Sequence, residues 1–308
     1  MIRCTHMSVA RALPAWAVLC LLTVALAAAF VAACGGSSGG SSPTPMATVT
    51  VTSTPSTSPS PTTASTATPS STTTLSLYFL RGEELGVAER RVPHTAKPAT
   101  AAMKALLAGP TTAERAAGLT SAVPRGTRLL GLSIDGTTAW VDLSARFAAG
   151  GGSLSMQARV AEVVDTLTRF PTVKAVAFRL DGAIVETLGG EGLMLDAGQT
   201  RADWRQFEPA IFVESPGAGA VVSSPFALSG TASVFEGSFT AVLVDNSGRR
   251  IVSKQVQASQ GAPGRGRFRM TVPFSTSAAK GTLIVYSQSM EDGSRQNEVR
   301  IPVTFAQD

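Results

Sequence analysis

The residues able to do chemistry are few and unevenly placed. Cys4, Cys20 and Cys34 are the only cysteines, and all lie in the first 34 positions. No later disulfide, cysteine metal site or cysteine nucleophile can therefore be built within the rest of the chain. Cys34 follows Val31-Ala32-Ala33 at the end of a long apolar run, so a thiol nucleophile sits behind small residues. Only two histidines exist. His6 is N-terminal, and His94 follows Pro93 in a polar segment without a Gly-x-Ser-x-Gly elbow or zinc motif to partner it; it reads as a surface residue. Arg265, Arg267 and Arg269 alternate with Gly266 and Phe268, which on a strand aims three guanidinium groups to one side. Such a row suits phosphate, a lipid headgroup or a partner's carboxylates, and equally serves as solvated charge guarding a strand edge. Glu186 and Glu191 are the acids to suspect if the chain hydrolyses wall polysaccharide, since that reaction runs on a carboxylate pair. Gly150-Gly151-Gly152 precedes a helix but has neither the lysine of a phosphate loop nor a dinucleotide fingerprint, and reads as a hinge. No catalytic residue, metal site or cofactor is assigned.

The elements that carry these groups begin with an export segment. Arg3 and Arg11 precede an uncharged run, Ala12 to Ala33, rich in Leu, Val and Ala. A basic start, an apolar middle and a small-residue end describe a signal peptide, here residues 1–33. The ending resembles that of bacterial lipoproteins, which implies acylation of the Cys34 thiol and cleavage just before it. A retained membrane span is the other reading of so long a run. Either one places the rest of the chain outside the cytoplasm, at the membrane. Removal of Arg3 and Arg11 leaves 24 basic against 21 acidic residues, an excess too small for a nucleic-acid binder. Residues 34–74 collapse to Gly, Ser, Thr, Pro and Ala and cannot bury enough surface to order themselves, so a disordered tether is expected. About 40 residues reach roughly 35 Å as a flexible coil and up to about 120 Å if extended.

Residues 75–206 read as an α/β sandwich domain. Leu75 to Leu80 alternates like a strand. Ala99 to Ala108 carries Met103, Leu106 and Leu107 at helical spacing before Gly109-Pro110, and Thr111 with Glu114 fits a capping box. Asp135-Gly136 makes a tight hairpin whose return strand buries Ala139, Val141 and Leu143, leaving Trp140 and Asp142 on the other face. Met156, Val160, Val163, Leu167 and Phe170 form one face of a helix opened by Ser153 and stopped by Pro171. Val173 to Leu180 then leaves as a strand, and Asp181-Gly182 supplies the positive φ angles of a type I′ turn back into Ala183 to Thr187. The expected order is β-α-β-β-α-β-β.

Lys104 to Thr111, the Asp135-Gly136 hairpin leading to Val141-Asp142-Leu143-Ser144, the Phe170-Pro171-Thr172-Val173 junction and Leu188-Gly189-Gly190-Glu191-Gly192 together resemble the GerMN domain of sporulation and germination proteins. The resemblance spans about residues 75 to 204 and carries no catalytic residues with it.

Residues 207–308 contain short alternating runs with turn signals between them: Phe226 to Ala232, Phe239 to Asp245, Arg250 to Val256, Arg267 to Pro273, Thr282 to Ser287 and Val299 to Phe305. About seven strands in a hundred residues suggest an immunoglobulin-like sandwich without its disulfide. Val213 to Pro216, Ser229 to Glu236 and the stretch from Asp292 to Val303 resemble Gmad2, the immunoglobulin-like domain often found behind GerMN. The overall class is α+β, an α/β sandwich followed by an all-β one. With Tyr286 as its only Tyr or Trp, the second domain offers little platform for stacking sugars. The implied role is noncatalytic: a lipid-anchored binding or scaffolding component on the outer face of the membrane, engaging envelope proteins or an anionic wall polymer. A peptidoglycan-processing enzyme working through carboxylates is the alternative.

Overall fold

The computed structural model describes residues 71–190, 192–195 and 198–307. The export segment, Cys34 and nearly all of the expected tether lie outside them, as does Glu191. Among the described residues, no helix is long and apolar enough to cross a membrane.

The first domain opens on a hairpin, β1 (Thr72–Arg81) and β2 (Glu84–Pro93), paired antiparallel along its whole length. Strand β1 starts at Thr72, so the last residues assigned to the tether belong to the sheet. Helix α1 (Pro98–Leu107) buries Met103 and Leu106, and α2 (Thr112–Ala116) is held by the capping box of Thr111 and Glu114. A short β3 (Leu119–Thr120) pairs with the end of β1. Next come β4 (Leu129–Asp135) and β5 (Thr138–Leu143), then a 3-10 turn at Ala145–Ala148 and α3 (Ser153–Thr168). Strand β6 (Ala175–Leu180) returns parallel to β5, and β7 (Ala183–Ile184) closes a sheet ordered β4-β5-β6-β7. A two-strand pair, β8 (Thr187–Leu188) and β9 (Leu193–Met194), ends the domain.

Three local expectations need correcting. The cap of α3 is Gly152, with Ser153 already its first helical residue. In the first hairpin Asp135 pairs with Thr138, so the turn residues are Gly136 and Thr137, and of these only Gly136 has a positive φ. The second turn is as expected, Asp181 and Gly182 both having positive φ, at 46° and 85°, but its return strand spans only Ala183–Ile184 and stops short of the expected Thr187. The third correction is β2, which breaks the anticipated element order. Its Glu89-Arg90-Arg91 run hides the strand from a pattern reading, yet Arg90 is a packed residue. It donates to Glu114 at 2.5 Å and to the carbonyls of Ala105 and Gly109 at 3.0 and 2.8 Å.

Helix α3 was expected to bury one face. Every residue from Ala158 to Leu167 is buried, because β1, β6 and α1 all pack on it. Its polar residues are therefore interior ones, and each has an internal role. Arg159, 1% exposed, donates to the carbonyls of Phe147, Ala149 and Gly150 at 2.6, 3.2 and 2.8 Å. The triple glycine wraps this guanidinium: Gly150 and Gly151 have positive φ, and a Cβ on Gly151 would lie 2.7 Å from Arg159 Nη2. The loop's carbonyls face a cation from its own chain, a fixed arrangement in place of the expected hinge.

The second domain starts with β10 (Ile211–Ser215), β11 (Val221–Val222) and β12 (Phe226–Ala232). It continues through β13 (Ser238–Asp245), β14 (Arg250–Gln257), β15 (Gly266–Val272), β16 (Lys280–Gln288) and β17 (Arg295–Phe305). Two sheets, β10-β12-β15 and β11-β17-β16-β13-β14, face each other. The six alternating runs each fall on a strand. Between the two sheets Phe239 of β13 meets Phe268 of β15 edge to face, ring centres 4.9 Å apart. The two domains lie in one compact unit, and Phe212 and Ala218 of the second join the apolar core of the first.

The candidate site, an arginine pocket at the domain junction

The junction is built on the 3-10 segment Arg201–Phe207, which leads out of the first domain. Thr200 and Asp203 cap it, the Asp203 carboxylate accepting from the Thr200 N–H at 2.7 Å. Trp204 and Phe207 turn inward, while Arg201 and Arg205 are left facing the second domain. Beyond the junction, β10 sends Phe212 edge-on against Tyr78 of β1, ring centres 5.9 Å apart.

Around that aromatic contact lies a buried polar cluster. The Tyr78 hydroxyl donates to Glu214 Oε1 at 2.9 Å, and Arg201 Nη1 makes a very short contact with the same oxygen. Arg201 also lies 4.7 Å over the Tyr78 ring and donates to the Asp165 carbonyl at 2.9 Å. Its Nε is 3.3 Å from Asp165 Oδ1, an ion pair without hydrogen-bond geometry. Burial pushes the Asp165 carboxyl up to about 7 despite the Arg201 charge. Burial alone would also raise Glu214, but the charge and hydrogen bond of Arg201, with the Tyr78 hydroxyl, hold it below the usual carboxylate range.

Next to this cluster is a cavity of about 620 Å³ lined by Arg169, Arg201, Arg205, Arg265, Arg267 and Arg269, with Glu208 and Glu214 as its only acids among the described residues. Arg169 is the residue closing α3. Arg267 and Arg269 project from β15 beside Thr231 and Ser229 of β12, while Gly266 and Phe268 point into the sandwich. These are the rows containing Phe212 on β10, so one face of the β10-β12-β15 sheet is covered by the first domain at one edge and open over the arginines at the other.

The three arginines singled out by their alternation do reach one pocket, but they are not equivalent. Arg265 precedes the strand and is structural. It pairs with Glu208 at 3.1 Å and donates to Thr231 Oγ1 at 3.2 Å and to the carbonyls of Glu208 and Pro209 at 3.3 and 3.0 Å. Burial raises Glu208, with Arg265 and Arg201 opposing it. Arg267 and Arg269 are exposed, as are Arg169 and Arg205. Among the described residues these four side chains make no hydrogen bond or close ion pair. The lining thus has two acids held by arginine and four unmatched guanidinium groups. Spacing could not reveal Arg169, Arg201 or Arg205, because they arrive from a helix end and an exit turn far from β15 in the chain.

The remaining candidates stay apart from this pocket. His94 is exposed, and its backbone N–H closes onto Ser71. Glu186 is exposed beside a separate cleft of about 170 Å³ lined by Trp140, Ile184 and Met194. Trp140 lies under Arg179, whose guanidinium is 4.9 Å from the ring, and Asp142 accepts from the Gly182 N–H at 3.0 Å, fixing the type I′ turn. Tyr286 is covered by Arg295 at 4.2 Å.

An α/β domain locked to an immunoglobulin-like sandwich through a shared buried ion cluster defines the architectural class. Residues 76–186 match the family model Germane, described as "Sporulation and spore germination", and residues 210–294 match Gmad2, the "Immunoglobulin-like domain of bacterial spore germination". The chain thus carries a GerMN-type domain followed by a Gmad2 domain. No curated protein matches it. Among solved structures, the tandem GerMN domains of the sporulation protein GerM from Bacillus subtilis are similar at 17% identity and a TM-score of 0.39, over 66% of this chain and 62% of that one. The first GerMN domain of the same protein is similar at 21% identity and a TM-score of 0.36, over 42% of this chain and 99% of that one.

Proposed function

We propose that this chain is a noncatalytic binding or scaffolding protein of the cell envelope, lipid-anchored through Cys34 on the outer face of the membrane and working through the arginine pocket at its domain junction. The observation that carries the reading is the state of the pocket's acids. Glu208 and Glu214 are each held by an arginine, so the lining offers positive charge for holding an anion and no free carboxylate for acid–base work. The two domain families, of sporulation and germination type, support a role in assembly at the envelope. The anchor rests on the sequence ending Val31-Ala32-Ala33-Cys34, with the Ser/Thr/Pro-rich segment behind it as the expected tether.

Crosslinking in living cells followed by mass spectrometry tests the role. Recovery of one reproducible envelope component, lost when Arg267 and Arg269 are replaced by glutamine, is expected. Turnover of purified wall by the protein would overturn it in favour of a carboxylate enzyme. Metabolic labelling with a palmitate analogue tests the anchor: label is expected on the native chain and absent from Cys34→Ala, and equal labelling of both would remove Cys34 from the reading.

A further inference from the structure

We propose that the arginine pocket binds phosphoryl groups carried in series, as along a phosphodiester polymer; this rests on the reading of the chain as a binding protein and names the ligand of that site. Donors and acceptors in the pocket are out of balance. Six guanidinium groups line the cavity against two carboxylates, and both carboxylates are already engaged. Arg169, Arg205, Arg267 and Arg269, with the half-buried Ser229 hydroxyl between them, present donors that no acceptor of the described chain satisfies. A ligand that completes this lining must be rich in acceptor oxygens and carry more than one negative charge. A carboxylate and a phosphodiester each bring one charge and two anionic oxygens, but those of the phosphodiester are set tetrahedrally and flanked by two ester oxygens, so they meet guanidinium groups arriving from several directions, where a planar carboxylate is best met in its own plane.

The cations are also spaced in series. Arg267 and Arg269 stand two residues apart on one face of β15, so their Cα atoms are about 6.8 Å apart along an edge strand. Arg169 and Arg205 line the same cavity from the first domain. Two cations are thus in line on the strand and two more share their cavity, which fits an elongated chain of charges better than one compact ion. The pair Arg201–Glu214 ties the two domains beside the arrangement and Arg265–Glu208 fixes the start of the second, so the backbone that carries the cations is set before the ligand arrives.

The test uses the full chain in detergent, titrated with a poly(glycerol phosphate) of about ten repeats, with glycerophosphoglycerol as the soluble counterpart of a lipid headgroup, and with poly-glutamate of matched charge. The polymer is expected to bind at least tenfold more tightly than poly-glutamate and, per phosphate, than glycerophosphoglycerol. The double variant Arg267→Gln/Arg269→Gln should weaken it tenfold or more and lower the slope of log affinity against log salt by about 2. The control Lys254→Gln/Arg300→Gln removes the same charge at exposed positions outside the lining and should change affinity less than twofold. Equal binding of poly-glutamate, or equal loss in the control, overturns the site. Equal affinity per phosphate for the single headgroup overturns the serial arrangement and assigns the pocket to a lipid headgroup. If no probe binds while crosslinking still recovers an envelope partner, the phosphoryl assignment falls and the binding role stands; wall turnover brings down both.

Discussion

Tyr78, on the first strand of the α/β domain, donates its hydroxyl to Glu214, on the first strand of the sandwich, at 2.9 Å across 136 residues of chain. The bond ties the two domains to each other through the wall of the arginine pocket, so the stability of the junction and the shape of the site are linked. Tyr78→Phe keeps the ring against Phe212 and under Arg201 and deletes only the hydroxyl. A loss of about 1 kcal/mol is expected, read as a melting point lower by about 2 to 4 °C. Glu214→Ala should cost about 3 kcal/mol, because it takes from Arg201 its hydrogen-bonded counter-ion and from the Tyr78 hydroxyl its acceptor in a buried site. Calorimetry that ranked the two variants the other way would contradict the arrangement.

Arg159 makes a prediction confined to the first domain. Arg159→Met preserves bulk inside α3 but strips donors from the carbonyls of Phe147, Ala149 and Gly150. A loss of about 3 to 5 kcal/mol is expected. In hydrogen exchange, the amides of residues 145–152 should lose protection first. Protection unchanged in that loop would mean the glycines hold their shape without the guanidinium.

The pH dependence of stability should carry the mark of Glu162. Its carboxylate accepts from Ser121 Oγ and from the Ala122 N–H, each at 2.6 Å, and Arg159 is nearby, yet full burial pushes the group up to about 8. A carboxyl whose folded pKa lies above its unfolded one binds its proton more tightly when folded. Its stabilisation is complete below the unfolded value, near pH 4.5, and is lost as pH rises to about 8. Glu162→Gln keeps the acceptor for Ala122 and removes the titration. Melting temperatures measured from pH 4 to pH 9 should fall for the native chain relative to this variant over that window; parallel curves would show that Glu162 does not bind its proton more tightly in the folded state.

These same residues show what the sequence could and could not disclose. The sandwich strands were legible because one face of each packs on a core and the other meets solvent, and Asp181-Gly182 was legible because its turn depends on those two residues alone. Strand β2 was not, since Glu89 and Arg90 acquire partners only when Gly217 and Glu114 are brought to them. Helix α3 read as amphipathic because Arg159, Glu162 and Asp165 look like a solvent face until loop carbonyls, Ser121 and Arg201 reach them. The pocket was half legible: β15 advertised its arginines by alternation, while the opposing cations come from separate segments that only the fold assembles.

The arginine row separates on mutation in a way its spacing does not suggest. Arg265 is 18% exposed at its side chain and holds Glu208, Thr231 and two carbonyls at the start of the second domain. Arg267 and Arg269 extend from the strand into the open cavity. Arg265→Ala should therefore cost about 2 to 3 kcal/mol, since it leaves Glu208 largely buried without its main counter-ion. Arg267→Ala and Arg269→Ala should each stay within about 0.5 kcal/mol of the native chain. In anion titrations the order reverses among folded proteins: below the melting range of Arg265→Ala, the Arg267 and Arg269 variants should show the larger loss of affinity. Equal destabilisation by all three would mean that the row is a packed structural feature throughout, and that the cavity has no cations to spare for a ligand.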